Sequence, residues 1–231
     1  MGRIAPAGRM AGRIATALGL ALMPAAGLAH PHVFIDTGVE VIFDESGRLA
    51  AVQVVWVHDE LYTMFALDDY GMDPDFTGTV TEAERAELAE IYANWDSDYH
   101  GDLRPLLDGT ELALGGPSRV VADVQDARLV IAHRRVFDSP QPLEGRELVL
   151  RVYDPTYFIA YTIATDPVVH GRDDCNAEVW GPDWEAADAR LQDALDELAA
   201  AGADPWEIEQ DFPPVGADFA EEIRIRCQDP S

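Results

Sequence analysis

Apolar side chains fall on every second position at the start of the chain outside its first 29 residues, with Val33, Ile35, Val39, Val41 and Phe43 on one alternation. That period belongs to a strand with one buried face. Asp44-Glu45-Ser46-Gly47 is turn chemistry and 49–57 is strand-like again, so the pattern predicts a hairpin. A short helical stretch over 59–67, an acidic loop and a helix over 81–95, with Leu88, Ile91, Tyr92 and Trp95 on one side, make a helical insert at about 59–96. Strand patterns return at 111–114, 120–124, 128–137, 148–153 and 158–163, punctuated by Gly115-Gly116-Pro117 and Ser139-Pro140-Gln141-Pro142. Residues 184–201 read as one amphipathic helix with Ala187, Leu191, Leu195 and Leu198 inward and Gly202 as its stop; a last strand follows over 219–227. The expected architecture is α+β: a β-sandwich or meander-type core with an EF-hand-like helical insert and a C-terminal amphipathic helix, in one domain over 30–231.

The first 29 residues read differently. Arg3, Arg9 and Arg13 precede an apolar run over 14–23, and the stretch after Pro24 ends in small residues at Gly27 and Ala29. This is the layout of a secretory signal cut after Ala29. The run is about half of the ~20 residues a spanning helix needs, so the expected product is exported to the periplasm and does not cross the membrane. No Cys follows the run to take a lipid anchor.

Composition narrows the partners. The 231 residues carry 43 acidic and 16 basic side chains, every basic one Arg, for a net charge of -27. Such a field repels nucleic acid and anionic lipid and concentrates cations. Cys175 and Cys227 are too far apart for a CxxC motif, and in an oxidising compartment they are expected to form one structural disulfide in preference to two free thiols.

Two stretches point to metals. Asp73-Pro74-Asp75-Phe76-Thr77-Gly78-Thr79-Val80-Thr81-Glu82-Ala83-Glu84 aligns with the twelve-residue EF-hand loop: acids at positions 1, 3 and 12, Gly at 6, an aliphatic at 8 and a hydroxyl at 9. Asp73, Asp75, Thr77, Thr79 and Glu84 are therefore candidate ligands for a structural Ca²⁺. The competing reading is an acidic turn that starts a helix, with Thr81 and Glu84 as a capping box. His30-Pro31-His32 is the second stretch. In a strand, residues two apart share a face, so both imidazoles reach one ion, and cleavage after Ala29 adds the α-amine of His30 as a third donor. This donor type favours late first-row ions (Zn, Ni, Co or Cu) over hard cations. If a two-residue turn joins the hairpin, paired positions sum to about 91, which sets His58 opposite Val33 and within a diagonal step of His32 as a further ligand. His100 and His170 have no assigned place, and His133 in a strand reads as packing.

HPHVFID after a signal-like leader, then VVWVHDE, DPDFTGTVTEAE, YDPTYFIAY and two late Cys, resembles the exported family known as domain of unknown function 1007, along essentially the whole chain after residue 29. That family is described as a periplasmic component of an uncharacterised ABC-type transport system. The resemblance implies transition-metal traffic and a membrane metal transporter or permease as partner. His30 and His32 match its opening motif, and Asp73, Asp75 and Glu84 its acidic loop. The leading expectation is a binding protein and not an enzyme: a periplasmic metal carrier or accessory with a structural calcium loop. The alternatives are a copper-dependent enzyme built on the amino-terminal His chelate and a calcium-stabilised interaction module without a transition metal.

Overall fold

The computed structural model describes residues 30–228 apart from 74, 76, 97, 98 and 211. The segment expected to be a signal, 1–29, lies outside the described residues. Two sheets carry the fold. The first takes its order from β5 (Ser118–Gln125), β6 (Arg128–Gln141), β2 (Leu49–His58), β1 (Val33–Phe43) and β8 (Ile159–Ile163), and β9 (Val168–His170) also pairs with β1. The second runs β10 (Cys175–Trp180), β11 (Glu222–Cys227), β7 (Leu148–Val152), β3 (Leu103–Leu107) and β4 (Thr110–Glu111). Strands β8 and β9 run parallel to β1 and the other pairings are antiparallel, so the first sheet is mixed and not a simple meander.

One hydrophobic core draws on both sheets. Val39, Val41, Val54 and Ile131 of the first pack with Leu148, Leu150, Ile223 and Ile225 of the second, and Leu67 of α1 (Glu60–Asp69) and Leu88 of α2 (Glu82–Ala93) join them. The inward alternation of β1 supplies Val33, Ile35, Val39, Val41 and Phe43, all buried. Leu88 is fully buried, and Ile91, Tyr92 and Trp95 pack against the core from the same helix and its exit.

The β1–β2 register differs from the two-residue-turn expectation. Asp44 and Arg48 close the turn, with the Asp44 N–H bonded to the Arg48 carbonyl at 2.8 Å, so three residues span it, and Gly47 adopts the left-handed conformation (φ 72°). The Asp44 carboxylate accepts bonds from the Ser46 and Arg48 amides that a two-residue turn would not offer. A register shift next to Phe43↔Leu49 then slides the ladder once more, and His58 pairs with Ile35, not Val33.

A second, smaller cluster sits outside the sheets. Helix α3 (Trp184–Ala200) buries Ala187 and Leu191 against Phe212, Val215 and Phe219, with Leu195 and Ile208 partly buried beside them. Helix α4 (Pro205–Gln210) and a 3-10 turn (Gly216–Asp218) complete this arm, which leaves the second sheet at β10 and returns to it at β11. Cys175 and Cys227 face each other across that pair and are joined by a disulfide with an S–S length of 2.04 Å.

Candidate metal centre

His30 and His32 precede β1 and meet Glu209 of α4. The His32 Nε2 lies 2.8 Å from the Glu209 Oε1, and the His30 Nδ1 lies 3.7 Å from the same oxygen. The donor atoms of the three residues all fall within 4.8 Å of one another. His30 is buried and stacked face to face on Phe212, with ring centroids 3.7 Å apart and planes 4° apart, while Phe158 closes on both imidazoles. Its Nδ1 is buried and has no hydrogen-bond partner among the described residues. Burial pushes the His30 imidazole below its ordinary pKa, and the neighbouring His32 acts in the same direction, against an opposing pull from Glu209 and Asp154. A neutral ring with an unused nitrogen is the state that coordinates a metal.

Three pieces of local chemistry set this geometry. Asp154 organises the YDPTYF turn: its Oδ2 accepts from the Thr156 hydroxyl and from the Phe158 and Ile159 amides. The turn presents the Phe158 carbonyl to the His32 and Val33 N–H groups at 2.9 and 3.2 Å, which fixes the histidine segment to the start of β8. Gly216 lies so close to the Asp154 carbonyl that a Cβ would enter its van der Waals envelope, and its N–H bonds to the Pro155 carbonyl at 2.9 Å. The arm is thus pinned to the same turn. Finally, the Asp204 carboxylate accepts from the Trp206 and Glu207 amides, and the Glu207 carboxylate accepts in turn from the Asp204 N–H, so α4 opens with a capping box. Asp204-Pro205-Trp206-Glu207 carries that helix start in plain view, with Pro at the first helical position. Glu209 itself had no such signal, because 177 residues separate it from His32.

The remaining expected site residues fall elsewhere. His58 is not brought to His30 and His32: it is 3% exposed on the inward side of the first sheet, with its Nδ1 3.1 Å from the Leu129 carbonyl and its ring stacked on Tyr62. The three-residue turn and the register shift account for this. In the acidic loop, the Asp73 carboxylate accepts from the Thr77 and Gly78 amides and the Thr77 hydroxyl, and the Thr77 and Thr79 hydroxyls bond each other. Glu84 turns its Oε2 to the Thr81 amide and hydroxyl at 2.7 Å each, as a capping box for α2. Among the described residues the carboxylates of Asp73, Asp75 and Glu84 do not form a group like that of His30, His32 and Glu209. His170 pairs with Glu40, His100 is exposed, and His133 is fully buried as core packing.

The fold and the site thus define a two-sheet α+β protein whose histidine-bearing lead into β1 is capped by an acidic helical arm. The chain belongs to the family described as Protein of unknown function (DUF1007), whose match spans residues 15–227. It is also similar to an uncharacterized protein of Haemophilus influenzae, 25% identical over 206 residues that cover 87% of this chain and 92% of the relative.

Proposed function

We propose that this protein is a periplasmic metal carrier or accessory that takes a late first-row divalent ion as cargo at His30, His32 and Glu209 and passes it to a membrane transporter. The observation that carries the reading is the convergence of two imidazoles and one carboxylate within 4.8 Å. Ligands about 2.0–2.2 Å from a tetrahedral ion sit roughly 3.3 Å from each other; Glu209 lies 2.8 and 3.7 Å from the two imidazoles, and with all three donors within 4.8 Å small side-chain shifts would bring them onto one ion. Two nitrogens and one oxygen suit Zn, Ni, Co or Cu better than a hard cation. A net charge of -27 draws cations to the surface without selecting among them. Among the described residues no helix is long and apolar enough to cross a membrane, and the reading assigns handover to a separate membrane partner.

The test is titration calorimetry of the exported protein with Zn²⁺, Ni²⁺ and Cu²⁺, on wild type, His32→Ala, Glu209→Gln and a form with one Ala inserted before His30. Glu209→Gln removes one acid out of 43, so it separates a built site from general acidity. Loss of one ligand is expected to weaken binding by tenfold or more, and binding should fall with pH as protons compete for the imidazoles. A large loss in the Ala-extended form assigns the α-amine as a donor. Unchanged affinity in both His32→Ala and Glu209→Gln would sink the proposal.

A further inference from the structure

A cleft of about 410 Å³ opens between the β3–β4 hairpin, the bend at His100 and strand β6, far in sequence from His30 and His32 and sharing no residue with their site. Arg135 of β6 lines it and is only 3% exposed. Its Nε donates to the Gly115 carbonyl at 2.9 Å, its Nη1 to the His100 carbonyl at 2.5 Å and its Nη2, at 3.4 Å, to the Leu114 carbonyl. The face of Trp95 lies 5.2 Å from the guanidinium carbon, and Trp95 packs so tightly on Gly101 that a side chain there would collide with the indole. The guanidinium is therefore rigidly placed, and a guanidinium has five N–H donors, of which three are used.

Its charge has no direct ion-pair partner among the described residues. Among the described residues no carboxylate lies within 4.0 Å of Arg135, nor of Arg104, which lines the same cleft from β3 and sets its own guanidinium over Tyr153. Carbonyls solvate a buried cation but do not neutralise it, and an uncompensated buried charge is costly. The buried Asp102 acts on both arginines at longer range, but its carboxylate takes its hydrogen bonds from the Tyr99 and Tyr161 hydroxyls, so in a chain with 43 acids and 16 bases the two arginines lining this cleft still have no carboxylate in ion-pair contact among the described residues. Glu111 stands in the lining, exposed, and is not within ion-pair distance of either arginine. The rest of the wall is apolar, with Leu103, Pro105, Leu112 and Leu114.

We propose that this cleft binds a small organic anion, its carboxylate or phosphate group held by Arg135 and Arg104 and its apolar body against Leu103, Leu112 and Leu114. Guanidinium pairs match the planar or forked geometry of such oxyanions, and the volume is that of a small-molecule site. The acidic surface around it disfavours large or highly charged anions, so a compact ligand with a single anionic group fits best.

Calorimetry on the full exported protein with phenyl phosphate and with hexanoate as probes, in chloride buffer of matched ionic strength, tests the assignment. Saturable binding of at least one probe is expected, weakened at least tenfold by Arg104→Gln, a half-buried site, with an unchanged circular dichroism spectrum expected as the check that the variant is folded. Arg135→Lys should also weaken binding, since a lysine keeps the charge but loses the fork. Absence of binding by both probes up to 10 mM, or equal binding by wild type and Arg104→Gln, would overturn the proposal; so would inorganic phosphate binding as tightly as phenyl phosphate, because the apolar wall would then contribute nothing.

Discussion

Two core histidines show how the same side chain serves different ends. His58 places its Nδ1 on the Leu129 carbonyl and stacks on Tyr62, whereas His133 lies between Trp56 and Trp95 with neither ring nitrogen bonded among the described residues. Burial pushes both imidazoles down to about 4 from an ordinary 6.5, with Arg135 adding to the shift at His133. As pH falls below 6.5 the unfolded chain takes up protons that these rings refuse, so their contribution to stability is complete above about 6.5 and is lost on the way to about 4. For one such histidine the loss at pH 5 is about 2 kcal/mol. His133→Leu is expected to leave stability at pH 7.5 within about 1.5 kcal/mol of wild type and to flatten its decline by about 2 kcal/mol at pH 5. Urea unfolding at the two pH values measures this, and parallel pH slopes for wild type and variant would contradict it. At this scale the sequence pointed to His30 and His32 by their spacing, and the structure does bring their rings together, although they lie ahead of β1 and not in the strand that this spacing implied. Glu209 had no such signal, since one Glu in an acidic chain is singled out only by the fold that carries it to His32.

At the scale of elements, regular periodicity was readable and interruptions were not. Helices α2 and α3, the β1–β2 hairpin and strands β5 to β8 follow from their alternations. Strand β3 (Leu103–Leu107) carries Pro105, which argues against a strand inside a sheet; β9 is three residues long and α4 six, too short for a period. Strand β10 has no buried alternation to detect, because its residues are exposed or half-buried. The loop before α2 shows how one sequence pattern serves two readings: Glu84 at the twelfth position of the calcium-type loop is also the third helical residue of the capping box with Thr81. The two roles separate by substitution. Glu84→Gln retains a side-chain acceptor for the box, so stability in the presence of EDTA should change by less than about 0.5 kcal/mol, while Thr81→Ala should cost about 1 kcal/mol. If the loop also takes Ca²⁺, wild type gains melting temperature on addition of calcium and Glu84→Gln does not. A calcium-induced rise of equal size in both proteins would remove Glu84 from the ligand set.

For the whole molecule, the question is what holds the arm that carries Glu209 over the histidines. The disulfide joins residues 52 apart and encloses α3, α4 and Phe212, so on chain entropy alone it stabilises the fold by up to about 4 kcal/mol. It acts chiefly on the unfolded chain, however, because Cys175 and Cys227 already face each other in a ladder that continues to Trp180↔Glu222. In the folded state the arm is held by other contacts: Phe212 on His30, Tyr157 on Phe219 with centroids 4.2 Å apart, and Gly216 against the Asp154 turn. Stability and site geometry should then respond to different substitutions. Cys175→Ser with Cys227→Ser is expected to lose several kcal/mol in urea unfolding, up to the ~4 kcal/mol limit, yet to keep Zn²⁺ affinity within about threefold at a temperature where the variant stays folded. Phe212→Leu is expected to do the reverse: a cost of about 1 kcal/mol with a drop in Zn²⁺ affinity of fivefold or more, because His30 loses the ring that fixes its plane. Calorimetry and unfolding on the same preparations read both quantities. Equal losses of affinity in the two variants would mean that the arm is positioned by the covalent link after all, and that the aromatic stack on His30 is packing without a role in the site.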